Sequence, residues 1–418
     1  MKVLHVLQNY EPSKGGTQFL FKNISEILLK SYGDEVVVIT TDSYFDPGSK
    51  NFKRILMNKE TINGILVLRF SFFRFYRTLF KLLNRIHLRV LKKSNLFFSK
   101  VRLGPWSPVM KKVLIKTNCD VICGSASSYL YMQYPILRDK FSNPKPFVFM
   151  GAIHFDNEND ISLPKYIMKR IEKSEKYIAN TQFEKDCLVR LGISPTKINV
   201  IGCGVNFWDF GKTPKRKAKE FFGLNESDFV VGYVGRFAPN KDLKTLVKAF
   251  HLVSKSNWML VLAGGTNAHL DEIRNFVKTS YTTLEGRIIY VVDFDESLKE
   301  MIYSTLDIFV SPSYSESFGI VFLEAWASKL PVIGANIGAI RSVITDGEDG
   351  RLFSVSDDIE LSKLLLFYFN NMDGRVRHGN KGFIKVQEMY TWEIITQKYR
   401  ATYLEAISIF NSRLVSAV

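Results

Sequence analysis

The sequence predicts two doubly wound α/β domains in tandem, each a mostly parallel sheet covered by helices. Three observations carry that expectation. Apolar runs alternate with amphipathic segments almost from end to end, the pattern of strand–helix–strand units. The chain has 418 residues, too many for one ordinary core and enough for two domains of about 200 residues each. The strand-like runs also fall into two series, separated by a polar and basic stretch at 206–225 that carries Lys212, Lys215, Arg216, Lys217 and Lys219. That stretch reads as a linker.

The first series opens with Val3–Leu7, an apolar run too short for the core of a signal peptide and therefore read as a strand. It continues through Glu35–Thr40, Ile65–Phe70, Val121–Cys123, Phe147–Met150, Tyr177–Ala179 and Ile198–Ile201. The second runs through Phe229–Val234, Met259–Ala263, Ile288–Val292, Ile308–Val310, Val332–Gly334 and Arg351–Phe353. Doubly wound sheets bind ligands beyond the carboxyl ends of their strands, so two in tandem give a cleft between them. A composition of 46% hydrophobic and 23% charged residues is that of a soluble globular chain. No apolar run reaches the eighteen or so residues of a membrane span. Cys119, Cys123, Cys187 and Cys203 have neither zinc spacing nor a disulfide framework, so a reducing, cytoplasmic setting is expected.

The most informative segment is Ser-Pro-Ser-Tyr-Ser-Glu-Ser-Phe-Gly-Ile-Val-Phe-Leu-Glu-Ala-Trp-Ala at 311–327. It follows the strand Ile308-Phe309-Val310 and turns through Ser311-Pro312-Ser313. The helical spacing of Phe318, Val321, Phe322 and Ala325 predicts a helix from near Ser317. Glu316 then lies in a loop at a strand's carboxyl end, with Glu324 about two turns into the helix. Free N–H groups from Phe318 to Val321 form an anion site, and a carboxylate before them can grip hydroxyl groups. Phosphate beside polyol suggests a nucleotide sugar. An isolated pair of glutamates at a helix start is more often a dipole partner and a solvated side chain; the surrounding pattern argues against that here.

Three other strand-end loops carry chemistry. In Gly232-Tyr233-Val234-Gly235-Arg236-Phe237-Ala238-Pro239-Asn240-Lys241, two cations five residues apart flank a turn, with a helix expected from about Lys241. Such cations can neutralise charge that develops on a departing diphosphate, or be solvated surface groups. Pro12-Ser13-Lys14-Gly15-Gly16-Thr17 follows the first strand, and its glycines permit close approach of a ligand to the backbone. It does not fit the dinucleotide G-x-G-x-x-G fingerprint. His154 follows the strand Phe147–Met150 and faces the expected cleft; Asp156 is placed to orient it or to form a surface turn.

Strand, Ser-Pro-Ser, Glu316, Phe318-Gly319 and an apolar helix with Glu324, followed by Leu330-Pro331-Val332-Ile333 and the turn Asp346-Gly347-Glu348-Asp349-Gly350, resemble the E-x7-E signature of retaining glycosyltransferases of family 4. The Arg236–Lys241 element is similar to that family's G-R-x-x-x-x-K, and Gly15-Gly16 to its glycine loop. His154 matches its histidine near the reacting sugar. Gly204-Val205-Asn206 is like the G-V-D closing the first domain, and Leu262-Ala263-Gly264-Gly265-Thr266 like a turn of the nucleotide domain. The resemblance implies the GT-B fold: a Rossmann-like acceptor-side domain over 1–205, a nucleotide-sugar domain over 206–391, and a final helix, 392–418, returning to the first.

By implication, His154, Arg236, Lys241 and Glu316 are catalytic. Gly15, Gly16, Arg236, Lys241, Glu316, Ser317, Phe318, Gly319, Ile320, Val321 and Glu324 bind the donor. Arg236 and Lys241 meet the diphosphate, Glu316 the sugar and Glu324 the ribose. The expected reaction moves a hexose-type sugar from a UDP- or GDP-linked donor to a glycan or lipid-linked acceptor, in cell-surface polysaccharide or glycolipid synthesis. Two rivals are a sugar-nucleotide epimerase of the same fold and a non-enzymatic, membrane-associated relative. The chain departs from the family at Asp242, where glycine is usual; this acid is placed either to pair with Lys241 or to start the helix. It departs again at Asn206 and at Asn336–Ser342, which lacks the usual G-G-x-P-E. Asp293-Phe294-Asp295 reads as a loop with a helix cap, so neither metal nor cofactor is expected.

The formal charge of +16 is concentrated. From Thr61 to Cys119 there is no Asp or Glu, against thirteen Lys and Arg. Within the basic stretch 69–116, Arg74, Arg77, Lys81, Arg85 and Arg89 fall on one helical face, with Phe72, Tyr76, Leu79, Leu83, Ile86 and Val90 roughly opposite. This suits an anionic membrane surface, which would make the protein peripheral on the inner face of the plasma membrane, or an ordinary surface helix with solvated cations. Single-stranded nucleic acid is a third option, but no nucleic-acid motif is present and none is expected as a partner.

Overall fold

The computed structural model describes every residue except 14, 45–52, 73–75, 92–106, 126–129, 156–160, 254 and 416–418. Lys14, Arg74 and Asp156, named above, lie outside the described residues, as do the side chains of Tyr76, Arg77 and Lys81. The strands are β1 (Lys2–Val6), β2 (Glu35–Thr41), β3 (Lys59–Ile62), β4 (Ile65–Phe70), β5 (Val121–Ser125), β6 (Phe147–Met150), β7 (Lys176–Ala179) and β8 (Ile198–Val200), then β9 (Phe229–Val234), β10 (Trp258–Gly264), β11 (Ile288–Val292), β12 (Ile308–Ser311), β13 (Val332–Ala335) and β14 (Gly350–Phe353). They form one eight-stranded sheet, β3-β4-β2-β1-β5-β6-β7-β8, and one six-stranded sheet, β11-β10-β9-β12-β13-β14. Every pairing is parallel except β3 with β4. Central strands such as β9 are buried along their whole length, as helices on both faces of a parallel sheet require.

Each sheet winds outward from a central strand and then returns to that strand's other side. In the second sheet the chain runs β9, β10, β11 and comes back as β12 beside β9; in the first it comes back as β5 beside β1. At such a reversal the connections on the two sides diverge, leaving a crevice at the carboxyl ends of the strands. The two-domain α/β expectation is met.

Every strand expected from the apolar runs is present. β3 was not expected, because Lys-Glu-Thr-Ile has no apolar run. Its signal was the dipeptide after it: Asn63 and Gly64, at φ 48° and 85°, form the two-residue loop that pairs Ile62 with Ile65. The 206–225 stretch is not a bare linker either. It contains the helix Lys215–Phe221 and is docked on the second half: Lys212 and Thr213 both donate backbone N–H to Glu300 Oε1 at 2.8 Å, and Lys215 pairs with Asp307 at 2.7 Å.

The chain crosses between the halves twice, and the crossings run side by side. Val205 bridges to Thr391 and donates its N–H to the Tyr390 carbonyl at 3.0 Å. Gly204 is needed here, since a Cβ would come within 2.4 Å of the Trp392 ring. The long helix Trp392–Val415 then packs on the first half. Tyr403 meets the buried His5 at 3.0 Å, Arg400 pairs with Asp34 at 2.8 Å, and Asn199 donates to Thr402 at 2.9 Å. Burial pulls the His5 pKa down to about 3, so the ring is neutral inside this packing.

Candidate functional site

β9 and β12 lie side by side with Gly232 opposite Phe309. Their outgoing loops, 235–242 and 312–319, therefore leave the same edge of the sheet together, at its reversal point. Two hydrogen bonds fasten them: Tyr314 N–H to the Asn240 carbonyl at 3.1 Å, and Asn240 Nδ2 to the Ser315 carbonyl at 3.1 Å. The fastening brings the Lys241 ammonium against the Glu316 carboxylate as an ion pair, with side chains only 12% and 14% exposed. Beneath it, Tyr233 donates its hydroxyl to the Arg236 carbonyl at 2.8 Å. Burial, and then the charge of Glu316, push that phenol above its ordinary range. Arg236 is exposed, and among the described residues its guanidinium has no hydrogen-bond or ion-pair partner.

Two helix starts differ from expectation. The helix after the Glu316 loop is Ile320–Ala327, not one beginning near Ser317. Gly319 at φ 94° turns the chain where other residues would be strained, so the free N–H groups begin at Ile320 and Glu324 is one turn in rather than two. Ser317 remains in the loop, half-buried. Phe318 anchors that loop: it is buried, its ring sits where a Cβ on Gly202 would be 2.8 Å away, and it packs edge-on to Tyr390 at 5.7 Å. The helix after Lys241 begins at Leu243, because Asp242 takes a left-handed φ of 45°. Its carboxylate accepts from the hydroxyls of Thr245 at 2.9 Å and Ser356 at 2.6 Å. Asp242 is thus a helix-start residue and leaves Lys241 to Glu316.

Glu324 is buried and held at both oxygens, by Lys299 Nζ at 2.8 Å and by the Tyr303 hydroxyl at 2.8 Å. Burial lowers the Lys299 pKa, but Glu324 and Glu296 outweigh it and hold the ammonium above its ordinary value. Tyr303 is pushed well up by burial and by Glu324. A carboxylate offers about four acceptor positions, so Glu324 retains capacity for hydroxyl donors. Lys299 and Tyr303 were not singled out from the sequence. Their spacing of four on the helix Lys299–Thr305 puts them on one face, but nothing in the pattern says which carboxylate that face meets.

The first half closes the other side. Gly15 is extended, and Gly16 opens the helix Gly16–Tyr32. A Cβ on Gly16 would lie 3.7 Å from Ile320 Cδ1, so the loop after β1 faces the start of the Ile320–Ala327 helix. His154 is exposed and reaches Ser315 Oγ with Nδ1 at 3.3 Å. Its loop is held from below by Glu184, another residue not anticipated. The Glu184 carboxylate accepts from Ile153 N–H at 3.0 Å, Asn180 N–H at 2.8 Å and the Tyr177 hydroxyl at 2.5 Å. Burial pushes its pKa up to about 7 against the pull of those three donors. The departing segment 336–342 also meets the first half: Phe183 packs where a Cβ on Gly338 would be 2.4 Å away and donates its N–H to Ser342 Oγ at 3.1 Å.

Lys241, Glu316, Ser315 and His154 are thus brought together, Gly16 meets Ile320, and Glu324 lies one turn into the helix that follows. Among the described residues no group of three or more His, Cys, Asp or Glu is placed to hold a metal ion. Asp293 accepts from Thr266 N–H at 2.8 Å and Asp295 caps the next turn through Ser297 N–H at 3.0 Å.

Residues 214–383 match the family model described as "Glycosyl transferases group 1". A D-inositol 3-phosphate glycosyltransferase from Rhodococcus opacus is 31% identical over 44% of this chain and 42% of its own length; one from Mycobacterium tuberculosis is 27% identical over 58% of this chain and 51% of its own. The chain spans about half the length of these curated relatives. Among solved structures, Anabaena Alr3699/HepE in complex with UDP superposes with a TM-score of 0.72 at 18% identity, covering 96% of this chain and 99% of that one. Sucrose-phosphate synthase from Thermosynechococcus elongatus gives 0.71 at 19% identity over the whole of both chains. The chain has the two-domain GT-B architecture with a central cleft, and is related in sequence to glycosyltransferases.

Proposed function

We propose that the chain is a retaining glycosyltransferase that moves a hexose-type sugar from a nucleoside diphosphate, UDP- or GDP-linked, to a glycan or lipid-linked acceptor. The observation that carries this reading is the Lys241–Glu316 pair at the sheet's reversal point, with the buried Glu324 one turn into the helix that follows. In this reading Lys241 is a cation for phosphate, Glu316 a carboxylate for sugar hydroxyls and Glu324 a second carboxylate for ribose. Curated relatives named as glycosyltransferases support it.

In this reading the first half, 1–205 with the final helix, takes the acceptor, and 206–391 takes the donor. The diphosphate lies over the N–H groups of Ile320 and Val321, with Gly15 and Gly16 close on the opposite wall. Arg236 and Lys241 stabilise the charge that grows as the bond from the anomeric carbon to the phosphate oxygen breaks. The acceptor hydroxyl attacks that carbon from the face the diphosphate leaves, and its proton passes to the departing phosphate oxygen. Glu316 holds the sugar, Glu324 the ribose, and His154 lines the sugar site. The chain's own cations and the helix start meet the diphosphate charge, so the proposal includes no metal.

The test begins by screening nucleotide sugars for thermal stabilisation, then measures turnover of the best binder. Arg236→Ala is expected to lower kcat by about 10²–10³-fold; unchanged turnover would sink the assignment. Conversion of the sugar nucleotide without any acceptor would instead favour an epimerase.

A further inference from the structure

The connection from β4 to β5 carries the helix Tyr76–Leu91, and its apolar stripe faces outward. Leu79 is 54% exposed, Leu82 54%, Ile86 49% and Val90 72%. Spaced three, four and four apart, they fall within an arc of roughly 80° at 100° per residue. Arg85 and Arg89, also exposed, flank the stripe on one side. The less exposed Leu83, Asn84 and His87 lie on the other. A surface helix normally turns its apolar stripe inward; contiguous outward apolar side chains mark an interaction surface.

Charge selects the occupant. The helix lies in the 61–119 stretch with thirteen cations and no acid. A second copy docked on the stripe would set two such stretches against each other, whereas an anionic bilayer answers both the apolar stripe and the cations. Topology gives the surface a place. β4 ends at Phe70, parallel to β2 and opposite Thr41, so the helix starts from the same edge of the first sheet as the Gly15–Gly16 and His154 loops.

We propose that Tyr76–Leu91 docks in the surface of an anionic lipid bilayer, with Leu79, Leu82, Ile86 and Val90 at the headgroup–acyl boundary and Arg85 and Arg89 on lipid phosphates. This holds the first half's side of the cleft at the membrane. Its use, presenting a lipid-linked acceptor, rests on the glycosyltransferase reading; the docking itself does not. Among the described residues no helix is long and apolar enough to cross a membrane, so the contact proposed is peripheral.

The experiment is co-sedimentation of the full chain with vesicles of phosphatidylcholine plus phosphatidylglycerol, and with phosphatidylcholine alone, at low and high salt. Binding is expected only to the anionic vesicles and is expected to weaken with salt. The double variants Leu82→Asp/Ile86→Asp and Arg85→Glu/Arg89→Glu should each lower the partition coefficient at least about tenfold. Both change exposed positions, and unaltered circular dichroism and unaltered thermal stabilisation by the nucleotide sugar check their folding. Absence of wild-type binding to anionic vesicles overturns the proposal, as does binding of folded variants at the wild-type level. A dimer that the apolar variant dissolves, with no vesicle binding, assigns the stripe to self-association and also overturns it. Vesicle binding by a chain that shows no transfer activity leaves the docking standing and removes only its purpose.

Discussion

The two walls of the cleft share a winding pattern but differ in how their side chains are held. On the second half, Asn240 ties two loops together, Lys241 and Glu316 neutralise each other, and Glu324 is gripped at both oxygens by Lys299 and Tyr303. On the first half, Gly15 and Gly16 offer only backbone, and His154 stands exposed with a 3.3 Å contact to Ser315. The nearby helix shows apolar residues to solvent. Lys241, Glu316 and Glu324 are thus held by neighbours, as preorganised electrostatic stabilisation requires, while Arg236 on the same wall is exposed. The wall proposed to meet the acceptor is built from groups with fewer constraints.

The sharpest way to break this comparison is to remove a fixed charge from one wall and an exposed group from the other. Lys241→Ala is expected to lower kcat by about 10²–10³-fold, whereas His154→Ala should cost clearly less with the same donor and acceptor. Equal losses would mean that the first wall contributes to the chemistry no less than the second.

Lys299→Met tests whether the grip on Glu324 serves binding. A lost charged hydrogen bond of about 1.5–3 kcal/mol should appear as a KM for the nucleotide sugar raised at least about tenfold, with kcat changed much less. A kcat loss without a KM change would assign Lys299 to the transition state instead.

Glu184 gives the smallest expected effect on turnover and the clearest one on stability. Its folded pKa, about 7, lies above the ordinary 4.5. Between those values the unfolded carboxyl has already released its proton while the folded one retains it, so stability falls as pH rises through this window. The slope contributed is up to about 1.4 kcal/mol per pH unit. Glu184→Gln removes that titration, and melting temperatures measured from pH 4.5 to 7 should flatten. An unchanged profile would show that Glu184 does not titrate there.

Much of this was legible because apolar runs mark buried parallel strands, and because glycine, proline and charged residues at strand ends mark binding loops. Glu316, Arg236 and Lys241 can be assigned to neighbouring strand-end loops without sight of their contacts. The Ile320–Ala327 helix starts later than its pattern suggests because Phe318 has the right spacing for it, and spacing does not register that Gly319 turns the chain with a positive φ. Lys299, Tyr303 and Glu184 stayed hidden because their partners lie on other elements, and pairing across elements leaves no local pattern. The periodicity of 76–91 gave an amphipathic helix but not the side its stripe faces, which depends on what the fold sets beside it.

The paired crossings at Val205 and Thr391 make the join between the halves a ribbon rather than a string. They also mean that the first half is not one continuous stretch of chain. A chimera meant to exchange the first half would have to graft two pieces, the early strands and the 24-residue closing helix. Grafting only the first would leave the buried Asp34 and His5 facing a foreign helix chosen for other neighbours. Recombination at a single point would therefore sever partners that belong together, so the two pieces must be exchanged as one unit.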